Sequence, residues 1–427
     1  MKQKPSSFSS LAILGAIVAG LAGFAAVTMY RQQLPGVEAH SPATVPKKVV
    51  ASRPHEIPIP EPLPAPPRVK DSSATLPLQE LAARVQPKGA VPNEAVLTFK
   101  SAAALSDFIN RAAAEGLVVK GRIDSMQSAR IAFDSLDKLR QELLDHGADY
   151  AGIGANFPVQ TPGLPPPEQR PGGGDVPFGN SLLAAIGAGP DVDRSQWGSG
   201  VTVAVVDSGV TAHPTFTAGQ VAHVDLVNDG QPFEGHGTAI ASLIAGNAPG
   251  AQGVAPAASI LDVRIGGADG SDSFLLARGI EMALSRGAQV INVSMGSYGD
   301  APIVSQAVQD AIQRGVIVVA SVGNDSAAVK NWPAAYPGVI SVSGVDATGQ
   351  LAYFSNSGDP TIAAPGVGVP SAYAEANKPY LATGDGTSQA AALVSGAVAA
   401  ILSQGGDVVS TLSNNATKIP ATKQQAG

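Results

Sequence analysis

Four side chains of the kinds used in nucleophilic catalysis stand beside glycines, where strands are predicted to end or helices to begin. They are Asp207 at the end of "VTVAVVD", His236 in "EGHGTAIASLIAG", Asn324 just after "VIVVASVG", and Ser388 in "GDGTSQAAALVSG". A serine hydroxyl becomes a good nucleophile when a neighbouring base removes its proton, and histidine has a suitable pKa for that base. A carboxylate orients the imidazole, and an amide donor stabilises the oxyanion. The set predicts acyl transfer.

Each of these residues also has a purely structural interpretation. Ser388 could cap the helix that follows it, because serine oxygens accept hydrogen bonds from the free N–H groups of a helix start. Asp207 and Asn324 are common turn residues, and His236 could be a partly buried histidine with a satisfied ring. The four residues occur together, each at a strand end or helix start, and this favours the catalytic interpretation.

The region from Phe178 onward alternates short apolar runs with helical stretches. Runs rich in valine and isoleucine are typical of parallel strands that are covered on both faces. These runs are "VTVAVVD", "SILDVRI", "QVINVSMG", "VIVVASVG" and "VISVSGV", and the helices between them include Phe274–Arg286 and Val304–Arg314. The pattern predicts a doubly wound, mostly parallel α/β sheet over residues 178–427. Ligand sites on such sheets lie at the carboxyl ends of the strands, where the four polar residues stand.

A smaller unit precedes this region. Residues 94–158 read as β-α-β-β-α-β, which predicts a small ferredoxin-like α+β domain. Its first helix is expected after Ser101, with Leu105 and Phe108 on the apolar face. Two segments rich in proline, or in proline and glycine, flank the unit, and we interpret residues 32–93 and 159–177 as linkers.

The first 31 residues resemble a targeting segment. Lys2 and Lys4 precede an uncharged run over Leu11–Met29. At a helical rise of about 1.5 Å per residue the run reaches about 28 Å, close to the thickness of a bilayer core. An uncleaved signal anchor is favoured over a cleaved signal peptide, and a buried soluble helix is the third alternative. Both favoured alternatives place the remainder of the chain outside the cytoplasm, either anchored or secreted.

Composition excludes several classes of function. The chain has 427 residues and no cysteine, so thiol chemistry, disulfides and thiolate metal sites are excluded. Its formal net charge of −7 is divided into +3 for residues 1–172 and −10 for residues 173–427. An acidic main body argues against nucleic acid as a partner.

The motifs around the four residues resemble those of the subtilisin-like serine protease family, in the chain order Asp, His, Ser. "VTVAVVDSGV" is similar to its aspartate motif, "GHGTAIASLIAG" to its histidine motif and "GTSQAAALVSG" to its serine motif. "GVAPAASILDVRI", "INVSMGS", "YFSNSG" and "IAAPG" extend the similarity over about residues 178–410. The sedolisin branch, which uses glutamate as base and aspartate at the oxyanion, is disfavoured by His236 and Asn324.

The resemblance implies a serine endopeptidase with protein or peptide substrates. Ser388 would be the nucleophile, His236 the general base and acid, and Asp207 the carboxylate that orients it. Asn324 would donate to the oxyanion together with the backbone N–H of Ser388.

The resemblance also implies a substrate-binding edge formed by Ser294, Met295 and Gly296. Gln389 and Ala392 depart from the family, which usually has methionine and proline at these positions. No cofactor is expected for catalysis. Structural calcium is frequent in the family, but no acidic cluster of suitable spacing is evident, and the metal ligands are left open.

By its size, order and position, the 94–158 unit resembles the family's propeptide, which acts as intramolecular chaperone and inhibitor. The resemblance implies a self-processing zymogen that is cut between Asn156 and Phe178, although an ordinary accessory domain remains an alternative. Two other classes of function are weighed for the whole chain. One is a catalytically weak or inactive protease fold that binds peptides or a protein. The other is a nucleotide-binding protein, which is disfavoured because no glycine-rich phosphate loop follows the first strand.

Overall fold

The fold is described from a computed structural model. The described residues are 29–31, 77–165, 174–231, 233, 235–267, 270–375 and 378–418. Most of the predicted Leu11–Met29 segment lies outside this part of the chain, and its last residue begins a short strand, β1 (Met29–Arg31). Within the described ranges, no helix is both long and apolar enough to cross a bilayer.

An N-terminal unit of four antiparallel strands and three helices comes first. Its elements are α1 (Leu78–Val85), β2 (Glu94–Phe99), α2 (Ala102–Arg111), β3 (Leu117–Ile123), β4 (Ser128–Phe133), α3 (Leu136–Asp145) and β5 (Tyr150–Gly154). The strands lie in the order β3-β4-β2-β5. The helices cover a core that includes Phe99 and Phe108.

The structure differs here from the predicted linker over residues 32–93. Helix α1 belongs to the N-terminal unit, because Leu81 and Val85 are fully buried in its core. The physical reason is local. No proline stands between Pro77 and Pro87, and the sequence "LQELAARV" places its apolar side chains on one face of a helix.

The larger region includes two short elements that come first in the chain, β6 (Pro158–Val159) and α4 (Leu182–Ala185). Its further strands are β7 (Thr202–Asp207), β8 (Val221–Asp225), β9 (Asn247–Ala248), β10 (Ala251–Gln252), β11 (Ser259–Arg264), β12 (Ser271–Asp272), β13 (Val290–Val293), β14 (Ile317–Ser321), β15 (Ile340–Val345), β16 (Ile362–Pro365), β17 (Val369–Glu375), β18 (Lys378–Gly384) and β19 (Ala416–Lys418). Its further helices are α5 (Gly235–Ala245), α6 (Ser273–Ser285), α7 (Pro302–Gln313), α8 (Thr387–Ser403) and α9 (Val408–Asn415).

The main sheet has the order β19-β1-β16-β15-β14-β13-β7-β11-β8. The seven strands from β16 to β8 run parallel to one another, as the continuous apolar runs predict, whereas β1 pairs antiparallel with β16. The strand order reverses between β7 and β13, so a crevice is expected outside the carboxyl ends of these two strands.

Helices cover both faces of the sheet. Along β7, Val203 and Val205 face α5 and α8, whereas Ala204 and Val206 face α6 and α7. Helix α8 is buried at every position from Thr387 to Ile401, which explains its many small residues. A Cβ atom added to Gly396 would lie 2.8 Å from Val254 Cβ, so a larger side chain there would displace its neighbours.

The N-terminal unit packs on the larger region through a polar contact around the start of α6. Arg130 bonds both Glu94 oxygens at 2.8 and 2.9 Å and reaches Asp272, the residue that caps α6, at 2.5 Å. Asn156 accepts hydrogen bonds from the Ser273 hydroxyl and the Phe274 N–H of the same helix. Burial raises the pKa of Asp272, and the Arg130 charge opposes that increase. The chain that follows Asn156 forms β6, which pairs with β12 just before α6.

Candidate active site

Asp207 and His236 form a direct pair. Asp207 is the last residue of β7 and is fully buried, and His236 is the second residue of α5. His236 Nδ1 lies 2.8 Å from Asp207 Oδ1, which also accepts hydrogen bonds from the N–H and hydroxyl of Ser208. These bonds hold the carboxylate against one ring nitrogen, the arrangement of a histidine that transfers protons through its other nitrogen.

Asn324 follows β14 in a turn, and its side-chain amide is oriented by a residue that the sequence analysis did not single out. Asn324 Oδ1 accepts hydrogen bonds from the Thr387 N–H at 2.9 Å and from the Thr387 hydroxyl at 2.8 Å. Because its oxygen is held in this way, Asn324 presents Nδ2 as a donor. The only signal for Thr387 was its position directly before Ser388.

Ser388 is the second residue of α8, and the structure does not use it as the helix cap. Gly386 occupies the N-cap position without a side-chain cap, at φ +155°. A Cβ atom at Gly386 would lie 2.5 Å from Gln389 Oε1 and 3.3 Å from Asn324 Nδ2. The Ser388 hydroxyl instead donates to the Ser294 carbonyl oxygen at 3.1 Å. The helix-cap interpretation of Ser388 is therefore wrong.

The edge formed by Ser294, Met295 and Gly296 runs past both the Asp207–His236 pair and the Asn324–Ser388 pair. Val293 of β13 is paired with Val206 of β7, so Ser294 and Asp207 stand side by side at the carboxyl ends of adjacent strands. The structure joins Asp207 directly to His236, and it joins Asn324 and Ser388 through Thr387. The Ser388 hydroxyl also contacts Ser294. All of these residues lie at the expected crevice.

A peptide segment of the chain itself crosses this crevice. Pro158 and Val159, which form β6, pair antiparallel with β12 on one side. Gln160 pairs with Gly296 on the other side, through bonds of 3.0 and 2.9 Å. Asn324 Nδ2 donates to the Pro162 carbonyl oxygen at 3.1 Å. No sequence signal marked Pro162, which is one of several prolines in a linker.

Asn356 supports the turn that carries Asn324. Its side-chain oxygen accepts from the N–H groups of Asp325 and Ala327, and its side-chain nitrogen donates to the Val322 carbonyl and the Tyr298 hydroxyl. Asn356 is fully buried, and all four bonds of its carboxamide are made. The motif "YFSNSG" contains this residue, but the sequence did not reveal its partner.

A second histidine–carboxylate pair lies near the first. His223 Nδ1 is 2.9 Å from Asp262 Oδ2, which also accepts from the Val210 N–H in the turn after Asp207. The hydrogen bond with Asp262 raises the pKa of His223, and burial raises the pKa of Asp262. His223 is half exposed on strand β8, so it is accessible to protons from solvent.

The comparisons with known proteins agree with this geometry. The sequence model of the Subtilase family matches residues 198–422. Subtilisin BL of Lederbergia lenta is 38% identical over 231 residues, which are 53% of this chain and 84% of that protein. An alkaline protease of Shouchella clausii is 39% identical over 231 residues, and the match spans 59% of its length.

Among solved structures, fervidolysin from Fervidobacterium pennivorans shares the fold with a TM-score of 0.60 at 24% identity. The likeness covers 75% of this chain and 56% of the fervidolysin chain. The family match spans more than half of the chain, and the chain therefore belongs to the Subtilase family. It is a subtilisin-like serine endopeptidase, a hydrolase that acts on protein or peptide substrates.

Proposed function

We propose that the chain hydrolyses peptide bonds through an acyl-enzyme formed on Ser388. The Ser388 oxygen attacks the carbonyl carbon while its proton passes to His236, and Asp207 stabilises the resulting imidazolium. The same proton is then given to the leaving amine, which breaks the C–N bond. A water molecule, deprotonated by His236, then attacks the ester carbon, and the C–O bond to Ser388 breaks as His236 returns the proton to the Ser388 oxygen, which releases the new carboxylic acid as its carboxylate.

The oxyanion of each tetrahedral intermediate is stabilised by the Asn324 amide and by the backbone N–H of Ser388. Ser388 lies in the first turn of α8, where the helix dipole favours negative charge. Thr387 holds the oxygen end of the Asn324 side chain, so its nitrogen end is preorganised as a donor.

The strongest support for this proposal is the hydrogen bond between Asn324 and a peptide carbonyl group of the linker. Asn324 Nδ2 donates to the Pro162 oxygen at 3.1 Å, in a segment whose residue Gln160 pairs with the edge residue Gly296. A substrate backbone bound in the same way would place its scissile carbonyl at the start of α8, with Ser294, Met295 and Gly296 as the binding edge.

We propose further that the N-terminal unit is an intramolecular inhibitor and chaperone, and that the chain is made as a zymogen. The Arg130 contact with Asp272 and the pairing of β6 with β12 support this role, because they hold the linker inside the crevice. Self-processing is expected between Asn156 and Phe178. An extracytoplasmic location fits relatives such as a protease of Bacillus subtilis whose name includes "extracellular", and residues 11–29 would supply an anchor or a signal peptide.

Catalysis needs no metal in this proposal, since every step uses side chains of the chain. Among the residues that the structure describes, no group of three or more His, Asp or Glu side chains could hold a metal ion. Structural calcium remains open. Activity after dialysis against EDTA tests the catalytic part of the proposal, and a complete loss that added calcium restores would assign calcium an essential role.

Labelling with a fluorophosphonate tests the mechanism and the processing together. The wild-type chain should be labelled on Ser388, hydrolyse casein and release a fragment that ends between residues 156 and 178. The Ser388→Ala variant should do none of these while keeping its thermal stability. Near-wild-type casein hydrolysis by the variant would rule out Ser388 as the nucleophile. A wild-type chain that folds but is neither labelled nor active would support the alternative of a peptide-binding module.

A further inference from the structure

The segment that crosses the crevice is clamped between two edges. On one side Ser271 pairs with Val159 and Asp272 with Pro158, and on the other side Gln160 exchanges two hydrogen bonds with Gly296. Val159 is almost completely buried. The register of this segment is therefore set by backbone pairing on both sides.

This register determines which peptide bond faces Ser388. In an antiparallel pair the hydrogen-bonded positions recur every second residue. Because Gln160 is paired with Gly296, the next such position brings Pro162 opposite Ser294. The Pro162 carbonyl accepts from Asn324 Nδ2 at 3.1 Å, so the bond in the reacting position joins Pro162 to Gly163.

Proline is the one residue that cannot complete this pairing. Any other residue at position 162 would offer its N–H to the Ser294 carbonyl, but proline has none. The Ser294 carbonyl instead accepts from the Ser388 hydroxyl at 3.1 Å. A carbonyl oxygen can accept two hydrogen bonds, so this contact leaves a site on the Ser294 oxygen that a residue other than proline would fill.

We propose that Pro162 protects the segment from the active site that binds it, so that the N-terminal unit stays attached as a slowly cut inhibitor. This inference rests on the proposed function. A residue with an N–H at position 162 would donate to the Ser294 carbonyl and complete the alignment of the scissile carbonyl, and His236 would take the Ser388 proton. Ser388 would then attack the carbonyl carbon of residue 162, and the bond to Gly163 would break as His236 protonates the Gly163 nitrogen. Hydrolysis of the ester would leave a carboxylate on residue 162.

The Pro162→Ala variant of the full chain tests the proposal. Intact-mass spectrometry should show fragments 1–162 and 163–427 (or their N-terminally trimmed forms) appearing about 10-fold or more faster than in the wild type, since the added hydrogen bond aligns the scissile carbonyl for attack. Pro165→Ala is the matched control, because Pro165 lies beyond the paired residues and should leave the rate unchanged. Adding Ser388→Ala to Pro162→Ala should abolish the cut.

A peptide measurement covers the case in which the variant fails to fold. Wild-type protein is given the octapeptide "PVQTPGLP", which is residues 158–165, and the same peptide with the Pro162→Ala change. The changed peptide should be cut after its fifth residue with a kcat/KM about 10-fold or more higher. Equal rates for the two peptides, or equal rates for the wild type and Pro162→Ala, would overturn the role of Pro162. If casein hydrolysis and fluorophosphonate labelling are also absent, the proposed protease function is wrong as well. If both are present, only the proposed role of Pro162 is wrong.

Discussion

The N-terminal unit and the catalytic region use similar residues for opposite purposes. In the N-terminal unit the serines that begin helices are caps, since Ser101 and Ser135 accept hydrogen bonds from the Ala104 and Lys138 N–H groups. In the catalytic region Ser388 begins a helix without capping it, and its hydroxyl contacts the substrate-binding edge.

The burial of the helices follows the same division. Helices α2 and α3 bury one face each, but α5 and α8 are buried almost all round and contain mainly small residues. Polar groups in the N-terminal unit therefore stabilise local structure, whereas those at the crevice are available to bind a substrate. Substitutions in the two regions should therefore differ in what they impair.

Among substitutions that keep the nucleophile, the largest effect is expected from Asn324→Ala. Loss of the oxyanion donor should lower kcat by about 10²–10³-fold, the magnitude measured for the corresponding donor of subtilisin rather than for this chain. KM and the melting temperature should change little, because the interaction is strongest in the transition state. Steady-state kinetics on casein-derived peptides would measure it. A kcat close to that of the wild type would remove Asn324 from the mechanism.

The next effect should come from Arg130→Met, which removes the ion pair with Asp272 that joins the two regions, together with the pair with Glu94 inside the N-terminal unit. The N-terminal unit should dissociate from the crevice more often, and Ser388 should be labelled by a fluorophosphonate about 10-fold faster, which corresponds to about 1.4 kcal/mol. We expect no more, because Arg130 and its partners keep some exposure to solvent.

The matched control for this contact is Arg122→Met. Arg122 pairs with Asp124 at 3.3 Å, and both side chains are more than half exposed. Labelling of this variant should proceed at the wild-type rate. Equal rates for Arg130→Met and Arg122→Met would mean that the buried ion pairs do not hold the unit in place.

A smaller effect separates the two kinds of helix start. Ser101→Ala should lower the stability of the N-terminal unit by about 1 kcal/mol, the usual cost of losing an N-cap. The same change at Ser388 should leave the stability nearly unchanged, because Ser388 makes no cap bond. Urea unfolding of both variants and their parent, all carrying His236→Ala to prevent autolysis, gives the comparison. A similar loss at both positions would contradict the distinction.

The smallest effect depends on pH. It concerns a polar pair of the catalytic region, His223 and Asp262, that contributes to stability rather than to catalysis. Asp262 raises the pKa of His223 above its unfolded value of about 6.5, so the pair stabilises the fold fully below that pH and loses this contribution as the pH rises through the raised pKa. His223→Gln should therefore lower the melting temperature more at pH 5.5 than at pH 9.

His213→Gln is the control for this measurement, because the His213 ring meets backbone groups of Tyr380 and Thr215 rather than a carboxylate. Its effect should not follow the pH dependence of His223→Gln. A His223→Gln effect that is equal at both pH values would show that the Asp262 charge plays no part.

Some of the fold could be predicted because its signals are local. Five parallel strands of the larger region were marked by continuous apolar runs, and α6 and α7 by helical periodicity. Short or polar elements gave no such signal. The half-exposed strand β8 and the exposed hairpin strand β18 were not predicted, because their residues follow neither apolar pattern.

Residue types and their spacing along the chain were enough to predict the α/β class, the order of Asp207, His236, Asn324 and Ser388, and the family they indicate. These conclusions depend on residue types within short motifs, and such motifs can be interpreted without knowing which distant residues they contact. The contacts of the folded chain were needed to show that Ser388 is not a cap, that Thr387 orients Asn324, and that the Pro162 carbonyl meets Asn324 beside Ser388. The reason is that each of these depends on contacts between residues far apart in the chain, such as Gln160 with Gly296, and strand register across such a separation is set by packing rather than by local sequence.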